Sequence, residues 1–418
     1  MIKIDLFLYF IYCSYKMFSF QEIKKVKNSY ARAGLIKTAR GEFPTPLYVF
    51  AGTDAEIRML DKKSSKSVKA LIANTYHLGL RTKKADGIKK AGGLAKFMSF
   101  SGLTLTDSGG FQVFSFGFGR EHGIGKIGFF PEKNQPVKTD QNLVKITDDG
   151  AFFTDEKGKR KFLGPKESVK IQEKIGADII LAFDECTSPF HSYAYTKKSL
   201  KRTHAWAKDF LKFKKSKQAA YGIIQGGEFK DLREKSAKFI SNLPFKGIAV
   251  GGPLGKNKKD MKKILGWLSP ILNKYPELPR HLLGIGKPED IFSGVEKGLD
   301  TFDCVIPTRE ARHGSVYTSL GRIDLHKGEK PGDKNPIEKN CPCPACLSKT
   351  KKDLKKMLKS NSQKEKSEAV RLLTLHNIFW FQSLMEKIRQ SILAGNFKEF
   401  KEKWLARYNS LKKTRKNV

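Results

Sequence analysis

The sequence predicts an α/β fold, a (β/α)8 TIM barrel followed by a small cysteine-bearing C-terminal subdomain. Three observations predict it: eight short apolar runs spaced by amphipathic stretches, polar residues recurring at the ends of those runs, and three cysteines crowded into six residues near the C-terminus.

The runs are PLYVFAGT, LIANTYHL, LTLTDSGG, DIILAFDEC, AAYGIIQGG, GIAVGG, HLLGIG and TFDCVIPT, between about residues 45 and 308. Continuous apolar runs alternating with helical stretches mark parallel strands buried on both faces. Eight such βα units point to a closed barrel ahead of an open sheet. Asp107, Asp184, Gln225, Gly251, Gly252, Gly286 and Asp303 fall at or near the C-terminal ends of the runs. In a barrel those ends converge on one mouth, where active sites are built. A polar residue also ends a strand simply because turns favour it; the weight lies in the recurrence. Asp303 comes early in its run, so its height at the mouth is the least fixed of these placements.

The expected organisation is an extension at 1–16, a barrel at 17–340 with a loop insertion at about 117–150, a metal-binding subdomain at 341–376 and a helical segment at 377–418. The opening tract, MIKIDLFLYFIYCSYKMFSF, looks like a short secretory segment but lacks a basic start and a small-residue cleavage site. It reads instead as an extension ahead of a start at Met17. Residues 117–150, rich in Gly, Pro and charge, read as a long exposed loop or hairpin between the third and fourth strands. Gly123, Gly125 and Gly128 there match G-x-G-x-x-G, but with no strand before and no helix after, dinucleotide binding is excluded.

With 39% hydrophobic residues, the 418-residue chain can build a core, which excludes disorder throughout. Its 80 Lys and Arg against 42 Asp and Glu give a formal charge of +38. Such a surplus favours a polyanionic partner, nucleic acid above all, although solvated basic faces would also produce it. No run reaches the length of a transmembrane helix, so no membrane partner is expected. Few, scattered cysteines outside the cluster suit the reducing cytoplasm.

Cys341-Pro-Cys343-Pro-Ala-Cys346 is a compact knuckle supplying three thiol ligands. Zinc wants four such ligands in a tetrahedron. His376, 30 residues beyond Cys346 in RLLTLHNIFW, is the candidate fourth. A lone histidine there would ordinarily be a packed core residue; three thiols seeking a partner favour ligation. Four protein ligands leave no open position, so one structural Zn2+ is expected.

Two aspartates carry the chemistry. Asp107 heads DSGGF, where glycines let a flat ligand approach the backbone and Phe111 can stack on it. Asp303 is followed by Arg309 and Arg312, suited to holding phosphates. A carboxylate nucleophile beside a second carboxyl for proton transfer cleaves glycosidic bonds with retention. Either aspartate alone could equally be a helix N-cap.

The segments TPLYVFAGT, NTYHLGLR, LTLTDSGGFQVFS, DIILAFDEC, YGIIQGG, AVGG, LLGIGKPEDI, GLDTFDCVIPTREARHG, CPCPAC and LTLHN resemble, in this order, the landmarks of tRNA-guanine transglycosylases, from about residue 30 onward. The resemblance implies that Asp303 attacks the ribose of the wobble nucleotide and that Asp107 acts as general acid and then base. It implies that Ser108, Asp184 and Gln225 contact the base, with the backbone at Gly251 and Gly252, while Phe111 covers its face. Arg309, Arg312 and Lys287 would grip the anticodon loop, whose target base must be flipped out to react. The implied reaction replaces the wobble guanine of tRNAs with GUN anticodons by 7-aminomethyl-7-deazaguanine (preQ1), in a cytoplasmic homodimer. The sequence departs from the family's pattern at GGPLG, where Pro253 replaces the usual residues, and in a longer stretch between Cys346 and His376. Rival readings are direct use of queuine, a non-catalytic zinc-bearing RNA-binding paralogue, and a barrel enzyme for a small phosphorylated metabolite. Retention of both aspartates argues against the second; the charge and the knuckle argue against the third.

Overall fold

The structure, a computed structural model, describes residues 18–112, 144–155, 158–328 and 332–410. The expected extension at 1–16, the Gly123–Gly128 motif and most of the expected insertion lie outside the described residues.

Three antiparallel strands come first: β1 (Ser19–Lys25), β2 (Arg32–Thr38) and β3 (Gly41–Thr45). The barrel then runs β4 (Leu47–Ala51), β5 (Ala70–Ala73) and β6 (Leu103–Thr106), with α1 (Lys62–Ser65) after β4 and α2 (Ala85–Lys90) and α3 (Leu94–Met98) after β5. Between β6 and α4 (Pro165–Ile175) stands a second antiparallel sheet of β7 (Val144–Ile146), β8 (Ala151–Thr154) and β9 (Arg160–Leu163). The repeat resumes with β10 (Ile179–Leu181), α5 (Tyr193–Phe213), β11 (Ala219–Ile224), α6 (Lys230–Ser241), β12 (Gly247–Val250), α7 (Lys258–Leu272), β13 (Arg280–Leu282), α8 (Pro288–Glu296), β14 (Thr301–Cys304) and α9 (Ile306–Arg312). The strands β4, β5, β6 and β10 to β14 close into one parallel barrel, each lying within one of the eight apolar runs or at its edge.

The period of two along each strand sorts its side chains. Val49, Ile72, Leu105, Leu181 and Ile223 fill the interior. Their neighbours Phe50, Leu71, Ile180, Ile224 and Val250 pack outward beneath the helices. Phe20, Ile36 and Phe43 join the interior cluster, so the β1–β3 sheet plugs the barrel end opposite the mouth. The expected boundaries merged this plug with the barrel. The sheet of β7 to β9 begins inside the expected insertion, with β7 ahead of its expected end at 150, and β8 and β9 lie beyond it. Ala151, Phe153 and Leu163 bury against Tyr76, Phe183 and Trp206.

Beyond the barrel, β15 (Ser315–Thr318) and β16 (Gly321–Asp324) form a hairpin, followed by α10 (Pro344–Ser348), α11 (Lys351–Lys359), α12 (Gln363–Leu393) and α13 (Phe397–Tyr408). His376 sits mid-way along α12, so the division expected at 376/377 falls inside one helix of 31 residues. That helix buries Leu372 and Leu373 in the subdomain core, and Phe381, Met385 and Ile388 against the barrel. No helix among the described residues is long and apolar enough to cross a membrane.

Candidate active site and metal centre

Asp107 follows β6, and its carboxylate is held from the neighbouring β5 loop. Oδ2 accepts from Asn74 Nδ2 at 2.6 Å, and Oδ1 from the backbone N–H groups of Thr75 (2.8 Å) and Gly109 (3.2 Å). Gly109 has φ +82°, and a Cβ on Gly110 would lie 2.5 Å from the Asp184 carbonyl oxygen, so the turn demands both glycines. Desolvation raises the Asp107 carboxyl to about 7, against the pull of those N–H donors and with repulsion from Asp303 adding to it. Near neutrality it can therefore both give and take a proton.

Asp184, after β10, accepts from Ser108 Oγ at 3.0 Å and from Gln225 Nε2 at 2.6 Å. Burial lifts its carboxyl to about 6, with both hydrogen bonds opposing the rise. Among the described residues, Gln225 Oε1 is buried without a hydrogen-bond partner. Gly252 (φ +77°) lies against it: a Cβ there would come within 2.2 Å of that oxygen. The loops that carry Gln225, Gly251 and Pro253 are knit together by fully buried Arg233, whose guanidinium donates to the carbonyls of Ile224, Gly227, Gly251 and Pro253. Arg233 escaped the sequence reading because in KDLREKSAKF it looks like one more solvated charge.

Asp303 is the third residue of β14. Its Oδ1 accepts from Gly284 N at 2.9 Å and lies 3.1 Å from His281 Nε2. Asp107, Ser108, Phe111, Asp184, Gly252, Gly286, Lys287, Asp303 and Arg309 all line one cavity of about 400 Å³, floored by the interior residues Ile72, Leu181 and Ile223. That volume suits a small, mostly enclosed ligand. Gln225 and Gly251 stand behind this lining rather than in it, and Arg312 is set apart from it. Arg312 is half-buried, with Nη1 lacking a partner among the described residues; desolvation, then repulsion from Arg58 and Arg309, lowers its pKa. Arg58, Arg309 and Arg312 thus lie close enough to repel one another, an arrangement that an anion would relieve. The sequence reading missed Arg58, Asn74, Thr75 and His281. Asn74 could have been found, since it is the first polar residue of the second run, LIANTYHL; His281 opens its run at the far end from the mouth.

The candidate metal ligands converge. One ligand atom each from Cys341, Cys343, Cys346 and His376 lie within 4.8 Å of one another. His376 Nδ1 is 3.4 Å from Cys343 Sγ and 3.3 Å from Cys346 Sγ. Its other nitrogen, Nε2, donates to the Tyr317 carbonyl at 2.8 Å, leaving the Nδ1 lone pair toward the thiols. This Cys3His set can hold a metal ion. The next residue, Asn377, donates to the carbonyls of Pro307 (2.9 Å) and Ser315 (3.1 Å) and accepts from Tyr317 N. The helix bearing His376 is thus tied to α9, which carries Arg309 and Arg312 and follows Asp303.

A family profile described as "Queuine tRNA-ribosyltransferase" matches residues 27–410. The chain belongs to that family. A "Putative queuine tRNA-ribosyltransferase" of Archaeoglobus fulgidus is 45% identical over 394 residues, covering 90% of this chain and 96% of the relative. A "Queuine tRNA-ribosyltransferase" of Staphylococcus aureus (strain JH9) is 38% identical over 396 residues, covering 93% and 96%. Family membership makes the protein a pentosyltransferase of the tRNA-guanine transglycosylase class. The queuine tRNA-ribosyltransferase match spans barrel, hairpin and cysteine knuckle alike.

Proposed function

We propose that the protein exchanges the wobble guanine of tRNAs with GUN anticodons for preQ1, by double displacement through a covalent aspartyl–ribose intermediate. The observation that carries this reading is one cavity lined by two carboxylates in different states of readiness: Asp303, anchored through Oδ1, and Asp107, poised near 7. Asp303 bonds to C1′ of the ribose as the C1′–N9 bond breaks, and the electron pair leaves with guanine, which takes a proton from Asp107. The incoming base then returns a proton to Asp107, its nitrogen bonds to C1′, and the Asp303 carboxylate is released. Two inversions give retention.

Ser108 and Asp184 recognise the base edge, with Gln225 bonded to Asp184 from behind, Phe111 covers its face, and the backbone at Gly252, backed by Gly251, completes the wall. Arg309, Arg312 and Lys287 take the anticodon-loop phosphates, and the charge of +38 draws in the tRNA. The cavity lining holds Asp107, Asp184, Asp290 and Asp303 against the fixed cations Lys287 and Arg309. That balance supports an amine-bearing base such as preQ1, even with Asp290 paired to Lys258 at 3.3 Å. The enzyme acts in the cytoplasm as a homodimer. Cys341, Cys343, Cys346 and His376 would hold one Zn2+, which would supply structure and no chemistry, since four protein ligands leave no open position.

The reading is tested by incubating the protein with labelled guanine and unmodified tRNA. Label should enter tRNAs with a GUN anticodon and not those with another wobble base, and preQ1 should compete better than queuine. Absence of label in any tRNA would exclude base exchange. For the zinc, the double substitution of Cys343→Ala with His376→Ala should release the metal and lower the melting temperature, because such sites contribute folding free energy. Full metal retention in that variant would refute the ligand set.

A further inference from the structure

Buried histidines in barrel strands are ordinarily packing residues, but His281 has a polar partner on each nitrogen. It lies on β13 directly opposite Thr301 on β14, and both are buried, His281 without any exposed surface. Its Nδ1 is 2.8 Å from Thr301 Oγ1, and its Nε2 is 3.1 Å from Asp303 Oδ1. Gly284 N donates to that same oxygen at 2.9 Å. Among the described residues, no hydrogen bond reaches Asp303 Oδ2.

We infer that Thr301 and His281 form a positioning relay that anchors Oδ1 of Asp303 and so selects Oδ2 as the oxygen that attacks the ribose. The inference rests on Asp303 being the nucleophile. The order of protons follows from the acceptor at the end of the chain. A carboxylate oxygen can only accept, so His281 Nε2 must carry the proton facing it. In the neutral ring Nδ1 is then a bare acceptor, and the Thr301 hydroxyl donates to it. The opposite tautomer would set a nitrogen lone pair against an anionic oxygen. With two donors converging on Oδ1, rotation of the carboxylate would break both bonds, so the unbonded Oδ2 stays turned to the cavity. As Oδ2 bonds to C1′ and the C1′–N9 pair leaves with guanine, Oδ1 becomes the ester carbonyl oxygen and keeps both N–H donors. No proton passes along the relay; His281 and Thr301 are positioning residues that act through Asp303.

The test is the single-turnover rate of covalent adduct formation between enzyme and tRNA, measured alongside the KM for tRNA. His281→Leu removes one anchor and should slow the adduct step by roughly 10²-fold, the scale of a misplaced reacting group, with KM unchanged. His281→Gln, which can present an N–H to the same oxygen, should restore most of the rate. A purely structural role would not separate these two variants or leave KM in place. Wild-type adduct rates in His281→Leu, or equal slowing in Leu and Gln variants that melt like wild type, would overturn the relay. Should His281→Leu not fold, Thr301 decides. Thr301→Val should be slow and Thr301→Ser near wild type; Thr301→Val at the wild-type rate would overturn it. Asp303→Asn runs in parallel to separate the two failures. Adduct in that variant sinks the nucleophile itself, whereas no adduct there beside full rate in His281→Leu sinks only the relay.

Discussion

Asp303→Asn is expected to form no covalent complex with tRNA and to lose roughly 10⁴–10⁶-fold in base exchange, the scale seen when a nucleophile is removed from a preorganised site. The amide keeps the shape of the carboxylate and an oxygen for Gly284 N and His281 Nε2, which reach only Oδ1 in the native site. Fold and tRNA binding should therefore survive, and the loss should fall on the chemical step. Denaturing electrophoresis of enzyme, unmodified tRNA and a base analogue that stalls the second half-reaction reads this directly. A shifted band in the wild type that persists in Asp303→Asn would assign the nucleophile elsewhere. The same variant should also lower the Asp107 pKa slightly, because it removes the repulsion that Asp303 contributes.

Asp107→Asn should fail differently. It leaves the nucleophile intact but cannot protonate departing guanine, and loss of one general acid typically costs ~10²–10⁴-fold. A trace of trapped adduct is therefore compatible with its role. The pH dependence is the sharper measurement. Because burial raises Asp107 to about 7, the protonated acid dominates below that pH and is depleted above it. Adduct formation, which needs the acid, should fall as pH rises through about 7, dropping about tenfold per unit once well above it. Resolution of the adduct by an incoming base, which needs the carboxylate, should rise over the same interval. Full exchange should peak between the two limbs, and Asp107→Asn should flatten both. A wild-type adduct rate that stays level from pH 6 to 9 would remove Asp107 from proton transfer (an interval chosen to bracket the value of about 7).

Much of the site was legible in the chain because its signals are local. Apolar runs of strand length and the residues that end them lie within a few positions of one another, so the eight barrel strands and the polar ends of DSGG, FDEC and IQGG can be read in order. The cysteine knuckle is likewise a matter of spacing. That His376 joins the cysteines was readable because a thiol cluster needs one more donor and LTLHN offers a histidine on an apolar helix. The family landmarks added roles to these positions.

What stayed hidden are pairings between residues far apart along the chain. Ser108 meets Asp184 across 76 positions, and Asn377 reaches the Pro307 carbonyl across 70. Arg233 looks like a surface charge until the β11 and β12 loops fold over it and turn four carbonyls inward. His281 looks like a packing residue until β14 pairs alongside β13 and sets Asp303 against its ring. The three-strand plug and the sheet after β6 escaped for a related reason: their stabilising burial comes from Leu47 and Leu103 in one case and from Tyr76 and Trp206 in the other, residues outside their own segments. Periodicity and ligand spacing are properties of neighbours and so can be read from order alone. Which buried polar atoms satisfy one another depends on the closure of the barrel, and local order carries no record of that.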